Sequence, residues 1–196
     1  MPRCHKAQVA KTHSVDLTLQ KTHNASPRHP VTLTFRKALP ADVPSILKLV
    51  RSAYRGEADL VADERIDEAG ILAKISAPGG VILMAHDDAG ALASCCELLK
   101  RDDGLAYFGL FAVDPLRQAG GIGRQVLARA EEHAREVFGV KRLEMWVIWT
   151  REELIEWYVR RGYTRTEETA PFPYKELVNG EALRDDLHFR VLVKDL

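Results

Sequence analysis

From Val31 the residues VTLTFRKA alternate apolar and polar, the period of a strand with one buried face. ADVPSILKLVRSAY then puts Ile46, Leu47, Leu49, Val50 and Tyr54 on helical spacing, with Asp42 placed to cap the start and Pro44 tolerable in a first turn. Residues 66–76 predict a second, shorter helix that PGG at 78–80 ends. GVILMAH and ALASCCELL flank DDAG at 87–90, a hairpin signal. A second turn, RDDG at 101–104, leads into LAYFGLFAV, so three successive antiparallel strands are expected, the third ending at Val113. After a glycine-rich turn, Val126, Leu127, Ala130 and Val137 mark a long amphipathic helix ending near Gly139. RLEMWVIW reads as an apolar strand, and TREELIEWYVRR as a helix stopped by Gly162. Thr150 and Glu153 stand at the spacing of a capping box for that helix. YTRTEE begins another strand, residues 171–185 form a long loop, and LHFRVLVKDL closes the chain as a strand. The order predicts an α/β (α+β) mixed sheet around a β-turn-α-β unit, in one domain over residues 31–196.

Composition bounds the function. The 196 residues suit one domain, and 46% apolar with 29% charged residues is ordinary for a globular protein. Basic and acidic residues balance at 28 each, which argues against nucleic acid or an anionic membrane as the main partner. No apolar run has the length of a membrane span, and no signal-peptide core is seen. Cys4, Cys95 and Cys96 form neither a disulfide framework nor a zinc pattern, so we expect a reducing compartment, the cytoplasm, and no metal. Residues 1–30 hold five basic residues against Asp16 alone, four of the seven histidines and few large apolar residues. They read as a disordered basic extension, with an organelle transit peptide as the alternative.

The richest stretch is DPLRQAGGIGRQVL at 114–127, the kind of turn that brings backbone N–H groups to a phosphate. A nucleotide P-loop needs Gly-Lys-Ser or Gly-Lys-Thr, and neither occurs. A dinucleotide fold needs G-x-G-x-x-G directly after the first strand; here position 126 is Val, and the unit lies mid-chain. What does match is Q/R-x-x-G-x-G/A, at Gln118 to Gly123, behind a strand ending Val113-Asp114-Pro115.

That stretch resembles, without a gap from 113 to 127, the acetyl-CoA signature of the GNAT N-acetyltransferases. TREELIEWYVRRGY at 150–163 resembles the family's later segment, with Trp157-Tyr158 and Gly162-Tyr163 in the places of its F-Y-x-x-x-G-F. The order of strands and helices agrees from Val31 to Leu196. The resemblance implies the GNAT acyl-CoA N-acyltransferase fold and transfer of acetyl from acetyl-CoA, as co-substrate, to a primary amine by direct attack in a ternary complex. A non-catalytic acyl-CoA-binding sensor or assembly module is the alternative. The acceptor is expected to be a small molecule but is not named by the sequence, and a homodimer stays open.

The resemblance also implies roles for residues. Backbone N–H groups of Gln118, Ala119, Gly121, Gly123 and Arg124 would meet the pyrophosphate, with Arg117 and Arg124 as candidate added charge. Backbone groups of Phe111, Ala112 and Val113 would pair with the pantetheine arm, as an added strand does. Tyr158 would be the acid for the leaving thiolate, and the Val113 N–H would meet the oxyanion. The glutamate that many members carry before the turn is Tyr107 here, and the nearest acid is Glu97, a candidate base or an ordinary strand carboxylate. Where members often have Asn, this chain has Arg151. Tyr107, Phe172 and Tyr174 are candidate acceptor contacts, the last two as a lid, and Glu57, Asp59, Glu64 and Asp67 could draw a cationic amine. Cys95 and Cys96 would face opposite sides of a strand and read as packed thiols, while His133 and His188 read as structural or solvated.

Overall fold

A computed structural model describes residues 32–54, 66–118, 120–177 and 183–196. The reading of residues 1–30 therefore lies outside the described residues. In chain order the elements are β1 (Thr34–Lys37), α1 (Val43–Tyr54), α2 (Glu68–Ser76), β2 (Gly80–His86), β3 (Leu92–Lys100), β4 (Leu105–Val113), α3 (Ile122–Glu136), β5 (Arg142–Ile148), α4 (Glu152–Val159), β6 (Thr164–Pro171) and β7 (His188–Asp195). The sheet runs β1-β2-β3-β4-β5-β7-β6 and is antiparallel except for the β4–β5 pair.

The β2 run is apolar at every central position because both of its faces are covered. Ile82 and Met84 join Cys95 and Ala112 under Ile46, Val50 and Ile71 of α1 and α2. Val81 and Leu83 join Cys96, Leu98, Phe108, Leu143 and Met145 under Val126, Leu127 and Ala130 of α3 and Ile155 of α4. Cys95 and Cys96 thus enter different halves of the core, as strand alternation requires. A third, small cluster of Ile148, Phe172 and Leu187 lies at the β5–β7 end.

Two helix starts differ from the sequence reading. Asp42 does not cap α1 with its side chain. Its carboxylate accepts from the Leu39 N–H (2.8 Å) and grips Arg36 at 2.6 and 2.7 Å, and a 3-10 turn over Pro40–Asp42 leads into the helix. Thr150 and Glu153 form no capping box, because α4 begins one residue later than that motif needs. Its N-cap is Arg151, whose carbonyl accepts from Ile155 N–H at 2.9 Å, and the Thr150 hydroxyl is buried without a partner. By contrast Asp67 caps α2, its carboxylate accepting from Gly70 N–H at 2.7 Å.

The feature that positions the site is the parting of β4 and β5. They pair only from Leu105 with Arg142 to Phe108 with Met145, yet β4 continues to Val113 and β5 to Ile148. Against β3, Gly109 stands opposite Glu97 and Ala112 opposite Cys95, so β4 carries one residue more than its partner. This is a β-bulge, with Leu110 held at φ 43°. The bulge bends β4 away from β5 and opens the sheet.

Candidate active site

A cleft of ≈ 770 Å³ fills the gap between the separated strands. One end is the glycine turn. Asp114 accepts from Leu116 N–H (3.0 Å) and from Arg117 Nε (3.2 Å), closing the turn after β4. Gly121 takes φ 78°, a conformation glycine adopts without strain, and is the N-cap of α3. The first helical bond runs from Gln125 N–H to the Gly121 carbonyl at 3.2 Å, so the N–H groups of Gly121, Ile122, Gly123 and Arg124 have no helical acceptor. Gln118, Gly121, Gly123 and Arg124 all line the cleft there. With the helix dipole they make an end suited to an anion. Ala119 lies outside the described residues. Gly123 also lets α3 approach its neighbours, since a Cβ would touch the rings of Phe111 at 3.4 Å and Trp157 at 3.5 Å.

The arginines divide. Arg117 is taken up by Asp87 and Asp114, and its guanidinium holds the Asp87 carboxyl below the usual range, so it braces the turn. Among the described residues no carboxylate pairs with Arg124. Beside it stands Arg161, which sequence reasoning missed. Arg161 stacks 3.5 Å above the Trp157 ring and donates from Nη1 to the Trp157 carbonyl at 2.6 Å. Its Nε is buried without a partner, and burial, Arg160 and Arg124 all lower its pKa. That repulsion marks an excess of positive charge at the end where the helix N–H groups point.

Along the cleft wall, Asp114 N–H donates to the Ala93 carbonyl at 2.9 Å, which makes Val113 and Ser94 a non-hydrogen-bonded pair. The N–H and C=O of Val113 therefore turn away from β3 and toward the gap, and by alternation so do those of Phe111. Ala112 behaves differently from the expectation. Its backbone faces β3, its carbonyl accepts from Ser94 Oγ at 2.6 Å, and its side chain packs under α1.

Tyr158 lies where α4 crosses the gap, lines the cleft, and is 3% exposed. It stands edge-on to Trp157 (5.0 Å) and Tyr163 (5.8 Å). Burial above all, with Cys96 beside it, raises its pKa, so the phenol carries its proton at neutral pH. Glu97, 5% exposed, reaches the cleft from β3 and pairs with Lys74 of α2 at 2.7 Å. Tyr107 covers Gly109 so closely that a Cβ there would lie 2.5 Å from its ring, which is why that position is glycine. Burial, then Glu97 and Glu144, raises the Tyr107 pKa. Phe172 lines the far wall, but Tyr174 does not: its hydroxyl accepts from Leu187 N–H at 2.6 Å and ties the loop to β7. Glu57, Asp59 and Glu64 lie outside the described residues, and Asp67 serves as the α2 cap. His133 is buried edge-on to Phe138, away from the cleft. Among the described residues no cluster of three or more His, Cys, Asp or Glu could hold a metal ion.

Besides Arg161, the sequence reading passed over Lys74, Trp146 and the strained Leu110. Lys74 and Glu97 are 23 residues apart and meet only through the fold. Trp146 looked like one more apolar residue of a buried strand.

The parted parallel strands, the bulge and the glycine turn between β4 and α3 together define an acyl-CoA N-acyltransferase fold. The model of the acetyltransferase (GNAT) family matches residues 43–163, and the chain belongs to that family and is an acetyltransferase. The family uses acetyl-CoA. Among solved structures, the fold is similar to the ribosomal-protein-S18-alanine N-acetyltransferase from Escherichia coli (15% identity, TM-score 0.63, 84% of this chain and 94% of that one). It is also similar to the IAA acetyltransferase from Bacillus cereus (18%, 0.62, 84% and 100%). A third similar structure is N-acetylglutamate synthase from Neisseria gonorrhoeae, complexed with coenzyme A and N-acetyl-glutamate (24%, 0.60, 84% of this chain and 35% of that one). No curated protein matches the chain.

Proposed function

We propose that the protein transfers acetyl from acetyl-CoA to a primary amine by direct attack within one ternary complex. The observation that carries this reading is the buried Tyr158 in the same cleft as the open β4 backbone and the glycine turn. The residues suit coenzyme A. Four helix-start N–H groups, Arg124 and Arg161 offer an anionic pyrophosphate hydrogen bonds and charge. The outward backbone groups of Phe111 and Val113 offer the pantetheine amides a strand to pair with.

Bound acetyl-CoA supplies a thioester carbon open to attack. The acceptor nitrogen must arrive neutral, and the proton it loses as the C–N bond forms goes to Glu97, through water where the distance demands it. Nitrogen forms the new C–N bond while the Val113 N–H donates to the carbonyl oxygen. As the C–S bond breaks, the Tyr158 hydroxyl donates its proton to sulfur. The chain needs no covalent acyl-enzyme, and neither Cys95 nor Cys96 is placed for one: both thiols are fully buried.

The test is Tyr158→Phe. Thiol release from acetyl-CoA in the presence of amine should fall at least about a hundredfold, the lower end of what a positioned acid contributes. Calorimetric affinity for acetyl-CoA should be unchanged. Wild-type rates in the variant would contradict the assignment.

A further inference from the structure

Given acetyl transfer at Tyr158, the reading on which this inference rests, the amine reaches the cleft from the face of the sheet that carries α1 and α2. On β5, Leu143, Met145 and Val147 point into the α3/α4 core, so Glu144, Trp146 and Ile148 point to the other face. The register sets Tyr107 beside Glu144, Val191 opposite Trp146 and Phe189 opposite Ile148. The result is a continuous run of rings. Tyr107 meets Trp146 edge-on at 5.4 Å, Trp146 meets Phe189 at 6.1 Å, and Phe189 meets Phe172 at 5.5 Å. All four rings line the cleft, and Trp146 is 39% exposed although it sits mid-strand.

Among the described residues, the carboxylates beside these rings are already matched. Glu97 is held by Lys74 at 2.7 Å. Glu144 accepts from Arg101 Nη1 at 2.7 Å and from Trp146 Nε1 at 2.8 Å. The other acid of the lining, Glu153, belongs to α4 on the opposite layer. A second ammonium group entering here would shed its water against rings and against carboxylates already paired with Lys74 and Arg101. An aromatic body would instead gain ring contacts and buried area.

We propose that the acceptor is a primary monoamine with an aromatic body, an arylalkylamine, whose ring lies along Trp146 and Phe189 while its nitrogen faces Glu97 and Tyr158. Trp146 is then a specificity-determining residue rather than a catalytic one.

The test measures thiol release from acetyl-CoA with 2-phenylethylamine and with spermidine as acceptors. The expected kcat/KM is at least tenfold higher for 2-phenylethylamine. Trp146→Ala should raise its KM at least tenfold with little change in kcat, and Trp146→Phe should keep it within threefold of wild type. Calorimetric affinity for acetyl-CoA should be the same in all three proteins, which also shows that they are folded. Preference for spermidine, or a wild-type KM in Trp146→Ala, overturns the proposal. If neither amine is turned over while acetyl-CoA still binds, titration of 2-phenylethylamine into the coenzyme A complex decides. Saturable binding that Trp146→Ala abolishes supports the aromatic site, and absent binding overturns it with the coenzyme site intact. Failure of acetyl-CoA itself to bind overturns the transferase reading beneath it.

Discussion

In the proposed reaction Tyr158 is the acid, and what suits it to that role is its burial at the wall of the cleft. Burial raises its pKa from the ordinary 10.0, since the phenolate would lose its hydration in the cleft. The sign of this shift fixes a pH behaviour. An acid must be protonated to act, and a raised pKa keeps it so throughout the alkaline range in which the amine becomes neutral. We therefore expect kcat, at saturating amine and acetyl-CoA, to stay level between pH 8 and 10. A fall centred below pH 10 and absent from Tyr158→Phe would show that the phenol titrates early, contrary to this account. The candidate role of Tyr158 was legible because three residues stand between it and Gly162, as in the family's Y-x-x-x-G, and that glycine stops the helix at φ 90°. Arg161, one residue before that glycine, was not. Its meaning comes from the Trp157 ring beneath it and Arg124 across the turn, and no local pattern announces either. Trp146 was hidden for the opposite reason. A tryptophan in an apolar strand signals core, and only the parting of β4 and β5 leaves its ring on the cleft.

At the scale of elements, periodicity did well where packing follows it. The hairpin turns, the long helix after the glycines and the closing strand were all visible as changes between a period of two and one of 3.6. Capping failed as a guide at two places, because a side chain that fits a cap can find a better partner. Asp42 is bound by a guanidinium, and the α4 N-cap falls one residue past Thr150. The β4 bulge was not legible, since Leu110 is an unremarkable residue at a positive φ. Strain of this kind at a cleft is what a functional constraint leaves behind. β3 illustrates how an element sets reactivity. It lies between two covered faces, so Cys95 and Cys96 are buried on opposite sides, and burial pushes the Cys95 thiol up to about 12. The thiolate is the reactive species. Iodoacetamide at pH 8 should accordingly leave both cysteines unmodified in the native protein and alkylate both in denaturant, as read by peptide mass mapping. Modification of either in the folded state would contradict the packing described for this strand.

The whole molecule is a sheet with a helical layer on each face, split at the one place where parallel neighbours part. Each layer brings different chemistry to that split. The α3/α4 layer supplies the glycine turn, Tyr158 and, just past α4, Arg161, and α2 supplies Lys74 to hold Glu97. The sheet itself supplies the open backbone of β4 and the ring face of β5 and β7. The central claim is that the turn at Gly121 binds the pyrophosphate of acetyl-CoA. It is tested most directly by calorimetric titration of acetyl-CoA into wild type, Gly121→Ala and Gly121→Glu. Both substitutions force a side chain into φ 78° at a cost of about 1–2 kcal/mol. Only the glutamate adds a negative charge where the phosphates would sit. The account predicts micromolar binding by wild type, a modest loss in Gly121→Ala and no measurable binding by a folded Gly121→Glu. Equal binding by the alanine and glutamate variants would place the coenzyme elsewhere, and no binding by folded wild type would contradict the account outright.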